Sequence, residues 1–148
     1  MKNLTRGIAT FCGVGYIPFI PATWASALAV VLCWYLPESY FIPSLVVLSV
    51  AGFWACAPSR LIFRAEDPKH FVMDEVCGVI LTLLWLPKTV AVYGAAFILF
   101  RILDALKPWP ISRVQAHPHA WSIMLDDLLA GFFGCGALHI LLATVWKV

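Results

Sequence analysis

Charge is absent from long stretches of this chain, and that absence restricts its fold more than any motif does. No Asp, Glu, Lys or Arg occurs over residues 7–37, 39–59 or 128–146. Two shorter uncharged runs, 76–87 and 89–100, are separated only by Lys88. A helix that crosses the hydrocarbon core of a bilayer needs about 20 apolar residues. Runs 39–59 and 128–146 meet that length, the second with His139 inside it. The 148 residues are 62% hydrophobic and 12% charged, against about 45–50% and 25% in soluble domains. The pattern predicts one all-α domain over 1–148, a small integral membrane bundle of four to five apolar helices.

The other runs need breaks. Run 7–37 is rich in Gly and Pro in its first half, so an irregular loop is expected to about Pro21–Thr23, then a helix over about 24–36. Runs 76–87 and 89–100 are too short to span; twelve helical residues rise only about 18 Å. The Leu86-Pro87-Lys88 break makes them a short antiparallel hairpin, 74–86 and 89–106, once their charged ends are included. Segment 107–121, with three prolines and no apolar period, reads as a loop.

This arrangement sorts the charges. Seven of the eight acids fall at one end of the bundle, all but Glu38. Eight of the ten Lys and Arg join them, leaving Lys88 and Lys147 at the other end. Positive residues favour the cytoplasmic side, so the charged end is expected there. The net charge of +2 carries no basic stripe for nucleic acid. The five cysteines include no CxxC pair and read as small buried hydrophobes, without a disulfide framework or zinc site. Pro18 and Pro21 interrupt the apolar stretch after Lys2 and Arg6, so the N-terminus is expected to remain in the mature protein rather than serve as a signal peptide.

Asp74, Glu75, Asp104, Asp126 and Asp127 come from three segments and meet at one level. Carboxylates gathered in an apolar setting repel unless cations neutralise them. An all-oxygen set suits a hard ion such as Mg²⁺. The structural alternative is pairing with Arg101 and Lys107, with Asp126 or Asp127 capping the last helix. Arg101, Asp104 and Lys107 recur at three-residue spacing on one helix face; the row is either a self-satisfied stripe or a phosphate clamp beside a metal. Thr23 and Ser26 precede an apolar run, where a hydroxyl caps a helix or helps its N-terminus hold an anion. Of the histidines, His139 reads as packed, His70 flanks the acidic segment, and His117 and His119 lie in the proline-rich loop. The "SRVQAHPH" stretch lacks the remaining elements of a histidine-nucleophile lipid phosphatase.

The pieces "IPATWAS" (20–26), "VMDEVCG" (72–78), "FRILDALKPWPI" (100–111) and "WSIMLDDLLAG" (121–131) occur in an order and spacing that resemble the phosphatidylglycerophosphatase A family. The resemblance implies a multi-pass enzyme of the bacterial inner membrane with its site facing the cytoplasm. It implies Mg²⁺-dependent removal of the terminal phosphate from phosphatidylglycerophosphate, leaving phosphatidylglycerol. Carried over by motif, Asp74, Asp104, Asp126 and Asp127 are the catalytic set. With Glu75 they are also the metal ligands, while Thr23, Ser26, Arg101 and Lys107 bind substrate. Ala22 and Ala25 stand where the family loop usually has glycine, and His119-Ala120 where it has a glycine pair. A non-catalytic homologue, a substrate-shifted one and a small cation transporter remain alternatives.

Overall fold

The computed structural model describes residues 1–145. Among them are seven α-helices, two short 3-10 turns and no strand. The helices are α1 (Lys2–Ala9), α2 (Pro21–Tyr35), α3 (Phe41–Phe63), α4 (Met73–Thr82), α5 (Val90–Leu106), α6 (Ile111–Gln115) and α7 (Ser122–Val145). Two stretches are long and apolar enough to cross a membrane, Glu38–Phe63 and Ser122–Thr144. Only 22% and 28% of their apolar windows are buried, so most of the apolar surface of both helices lies outside the core. Ile42, Val46, Val47, Val50, Phe132, Phe133, Ile140 and Leu141 all face outward.

The short helix α4 forms the centre. Every residue from Met73 to Ile80 is buried, as is Thr82. Its apolar side chains, with Ala25 and Ala29 of α2, Phe100 of α5, and Ala130 and Leu138 of α7, build the main core. A second cluster joins Met73 and Cys77 to Ala55 and Cys56 of α3 and to Met124 of α7. Beyond its acidic first turn this helix is largely apolar, as a helix wrapped on all sides is.

The main partner of α4 is α7 rather than its sequence neighbour α5, and glycine decides how closely they approach. A Cβ placed on Gly131 would overlap the Gly78 carbonyl oxygen, and one on Gly78 would lie 2.8 Å from the Asp127 carbonyl oxygen. The two backbones therefore touch, as small residues allow between membrane helices. Thr82 Oγ1 fixes the contact, donating to Gly78 O at 2.8 Å and reaching Gly131 O at 3.4 Å.

Several boundaries differ from the sequence expectation. Helix α2 starts at Pro21, three residues early, because proline at the first helical position has its φ preset and loses no hydrogen bond. Ile20 is thus the cap, and Thr23, a candidate cap by sequence, lies within the first turn. Helix α7 starts at Ser122, so Asp126 and Asp127 stand one turn inside it and cap nothing. Helix α3 continues past Pro58 to Phe63, and α4 stops at Thr82 instead of 86. Segment 7–23 is less irregular than expected. Helix α1 is followed by a left-handed turn over Phe11, Cys12 and Gly13. Val72 N donates to Ala9 O at 2.8 Å, which ties this segment to the start of α4. Part of the 107–121 loop is the short helix α6. Lys147 lies outside the described residues.

At the opposite end, Lys88 Nζ donates to Leu36 O at 2.5 Å and Trp34 O at 3.3 Å. A cation thereby satisfies the last carbonyls of α2, where the helix dipole is negative.

Candidate active site

The first turn of α4, the end of α5 and the second turn of α7 converge on one cavity of about 740 Å³. Asp74, Glu75, Asp104, Lys107, Asp126 and Asp127 all line it. Helix geometry explains the convergence: α4 and α7 touch at Gly78 and Gly131, each about one turn from its acidic pair. Close backbone contact below brings the carboxylates together above.

The five acids divide into two groups. Oxygens of Asp74, Glu75 and Asp127 all lie within 4.8 Å of one another. All three residues are buried, and among the described residues none has an ion-pair partner. Asp104 and Asp126 are held by cations instead. Lys107 Nζ lies 2.5 Å from Asp126 Oδ2 and 3.7 Å from Asp104 Oδ1. Arg101 Nη1 lies 2.5 Å from Asp104 Oδ2. Salt-bridged acids and a cluster of acids that could hold a metal ion are thus found on different residues.

The unpaired trio fits a hard divalent ion. Glu75 Oε2 and Asp127 Oδ2 are buried without a hydrogen-bond partner among the described residues, and such atoms cost about 1–3 kcal/mol or more each when left unmet. Ionised carboxylates within 4.8 Å of one another would repel by at least about 3 kcal/mol per pair at an effective dielectric near 20. A cation bound between these oxygens relieves both costs. Three carboxylates with no nitrogen or sulfur donor match the preference of Mg²⁺ and similar ions.

Arg60, Lys69 and Lys107 all line the cavity, and of these Lys107 is the one ion-paired to its carboxylates. It sits just past α5 in a left-handed conformation, φ 43°, which turns its side chain back toward α7. Burial lowers its pKa, but the hydrogen bond and charge of Asp126, with Asp127 and Asp104 behind, prevail and hold it above the ordinary lysine range. The side chain is thereby held as an ammonium. Arg101 does not line the cavity; it acts on Asp104 from behind.

The hydroxyl pair lies apart. Neither Thr23 nor Ser26 lines the cavity. Ser26 is fully buried and donates to Ala22 O at 2.9 Å within its own helix. What reaches the cavity from this segment is Ile20, Pro21 and Ala22, so the positive end of α2 meets it.

The proline-rich loop forms the roof, with Ala116, His117 and Pro118 at the cavity. Arg60 of α3 latches it, Nη1 donating to Pro118 O at 3.0 Å and Nη2 to His119 O at 3.3 Å. Ser122 Oγ donates to His119 O at 2.8 Å and lies 3.1 Å from His117 O. Neither role is legible in the sequence, because both hydroxyl and guanidinium serve backbone carbonyls that carry no residue signature. The rings of His117, His119 and Trp121 stack on one another, with centroids 4.9 to 5.6 Å apart. His70 is structural: its Nδ1 lies 2.8 Å from Gly15 O.

Fold and cavity together define a helical protein with membrane-length helices and a buried, acid-lined site that pairs a metal-type carboxylate trio with a fixed ammonium. The sequence model of the phosphatidylglycerophosphatase A family matches residues 7–142. The phosphatidylglycerophosphatase A of Escherichia coli K12 is 36% identical over 149 aligned residues, covering 95% of this chain and 85% of that protein. A Bacteroides thetaiotaomicron protein named "Putative phosphatidylinositol-3-phosphatase" is also 36% identical, over 85% of this chain and 86% of its own. The Haemophilus influenzae phosphatidylglycerophosphatase A is 31% identical over 90% of this chain and 85% of its own. No solved structure shows significant similarity. The chain belongs to the phosphatidylglycerophosphatase A family.

Proposed function

We propose that this protein hydrolyses the terminal phosphomonoester of phosphatidylglycerophosphate with Mg²⁺, yielding phosphatidylglycerol and inorganic phosphate. The observation that carries this reading is the trio of buried, unpaired carboxylates beside Lys107 in a chain of this family. Asp74, Glu75 and Asp127 would hold the ion, with Asp104 and Asp126 at its margin. A divalent ion there supplies Lewis acidity toward phosphoryl oxygens and acidifies nearby water.

The remaining roles belong to the chain. Lys107 offers an ammonium to the phosphate oxygens and stabilises charge that grows in the transition state. The start of α2 adds its dipole at Ala22. Arg101 grips the Asp104 carboxyl group and directs it at Lys107. Thr23 and Ser26 support the turn that presents the start of α2 rather than touching phosphate. Attack by water and attack by an aspartate differ in whether an aspartyl phosphate forms; acid quenching during turnover traps the second only.

The bundle reading places four to five apolar helices, with α4 and α5 as a short hairpin, in the bacterial inner membrane. The excess of Lys and Arg at the site end orients that end to the cytoplasm. Labelling single cysteines introduced beside Lys69 and beside Lys88 tests this. Reagent reaching the Lys88 end from the cytoplasm overturns it.

The decisive experiment measures phosphate release by the purified protein from phosphatidylglycerophosphate, with Mg²⁺ and with EDTA. Activity that persists in EDTA removes the metal from the reaction. Phosphatidylinositol 3-phosphate belongs in the same panel, given the name of the Bacteroides relative and Ala22 at the cavity where the family usually has glycine. Faster release from that lipid replaces the primary substrate with the second.

A further inference from the structure

A second cavity, of about 390 Å³, lies between α2 and α3 with α4 as its floor. Its lining is almost wholly apolar, and none of its residues belongs to the polar site. We infer that this groove holds an acyl chain of the lipid substrate and sets the enzyme's preference for long-chain over short-chain lipid. The inference rests on the lipid-phosphatase reading above and adds to it the part of the molecule that recognises the tail.

Continuity along α2 identifies the occupant. Ala22 lines the polar cavity, whereas Ala29, Leu32 and Leu36 line the groove. With Ala25 between them, these residues recur at three- and four-residue spacing, so one face of α2 serves both cavities. Helix α4 repeats the arrangement: Asp74 and Glu75 face the polar cavity, while Val76 and Ile80, one turn apart, floor the groove. Ala22 and Ala29 are about 10 Å apart along the helix axis, comparable to the reach of a glycerol joined through two phosphates. A lipid with its terminal phosphate at Lys107 therefore has its ester end level with the top of the groove. The groove then runs toward Leu36 and Ser44, away from the charged end, as a chain following the bilayer normal does. Leu32 and Tyr35 are exposed on its edge, so a chain enters sideways from the bilayer.

The test compares kcat/KM for dipalmitoyl and dibutyryl phosphatidylglycerophosphate in mixed micelles with Mg²⁺. Ser44→Phe narrows the groove and is expected to lower the long-to-short ratio by about tenfold, the discrimination that a few methylene contacts provide. Leu32→Ala removes groove wall at an exposed position and is expected to lower the same ratio about threefold, which keeps the test open if Ser44→Phe does not accumulate. A ratio equal to wild type in both variants overturns the assignment and leaves the groove to ordinary bilayer lipid. An equal loss on both substrates also overturns it, since damage to the fold ignores chain length. Wild-type protein inactive on both lipids refutes the phosphatase reading itself, and the groove assignment falls with it. That outcome is distinct from activity with an unchanged ratio.

Discussion

Gly131→Ala adds one carbon atom between two packed helices, yet it should disable the site. The new Cβ would overlap the Gly78 carbonyl oxygen and lie 3.1 Å from Gly78 Cα. Both are backbone atoms, so no side chain can swing aside. Relief requires α4 and α7 to part by about 1 Å, because non-bonded atoms settle near 3.5 Å. The movement passes directly to the acids, since α4 carries Asp74 and Glu75 and α7 carries Asp126 and Asp127. A misplacement of about 1 Å typically costs about 100-fold in rate, and overpacking costs about 1–3 kcal/mol of stability. The expected result is a roughly 100-fold fall in kcat/KM with a lowered melting temperature in detergent. Gly136→Ala is the control, because a Cβ there meets nothing within 4 Å; it should keep wild-type activity. Wild-type turnover in Gly131→Ala, or an equal loss in Gly136→Ala, refutes the claim that the α4–α7 contact sets the carboxylate geometry.

Asp127→Asn and Glu75→Gln should each raise the Mg²⁺ concentration for half-maximal activity by at least about tenfold, read from metal titrations; unchanged titrations remove these residues from the ion. Lys107→Met should lower kcat/KM by about 100-fold, with Lys107→Arg recovering part of it; a full-rate methionine variant excludes the ammonium from the reaction. Because Asp126 raises the Lys107 pKa above its ordinary 10.5, the stability from this pair is complete below about pH 10.5 and lost only as pH rises through the higher folded value. Wild-type and Lys107→Met melting temperatures should accordingly differ by a constant amount from pH 7 to 10, and a difference that vanishes by pH 9 contradicts the pairing. Lys88→Met should cost about 1–2 kcal/mol in thermal unfolding by uncapping two α2 carbonyls while kcat holds; a drop in kcat would mean that the two ends are coupled.

The long uncharged runs at 39–59 and 128–146 foretold α3 and most of α7, since a run without charge has few places to reside but lipid or core. The clustering of Asp74, Glu75, Asp104, Asp126, Asp127 and Lys107 at one level was also legible, because helix ends inherit the order of charged and apolar segments. Boundaries were less so. Pro21 opens α2 where a break was expected, and the Asp126-Asp127 pair lies inside α7 because the helical run extends across polar residues to Ser122.

Sequence alone determined that the acids share a level and that the helical chain carries two stretches long and apolar enough to cross a membrane, because both follow from where charge is permitted along the chain. Only the tertiary structure decided which acids are free and which are paired. Among the described residues Asp74, Glu75 and Asp127 have no ion-pair partner, while Lys107 lies between Asp104 and Asp126. Spacing along a helix fixes height and rough direction. The partner across a cavity depends on how near two backbones come, and here that distance is set by two glycines, Gly78 and Gly131, more than fifty residues apart.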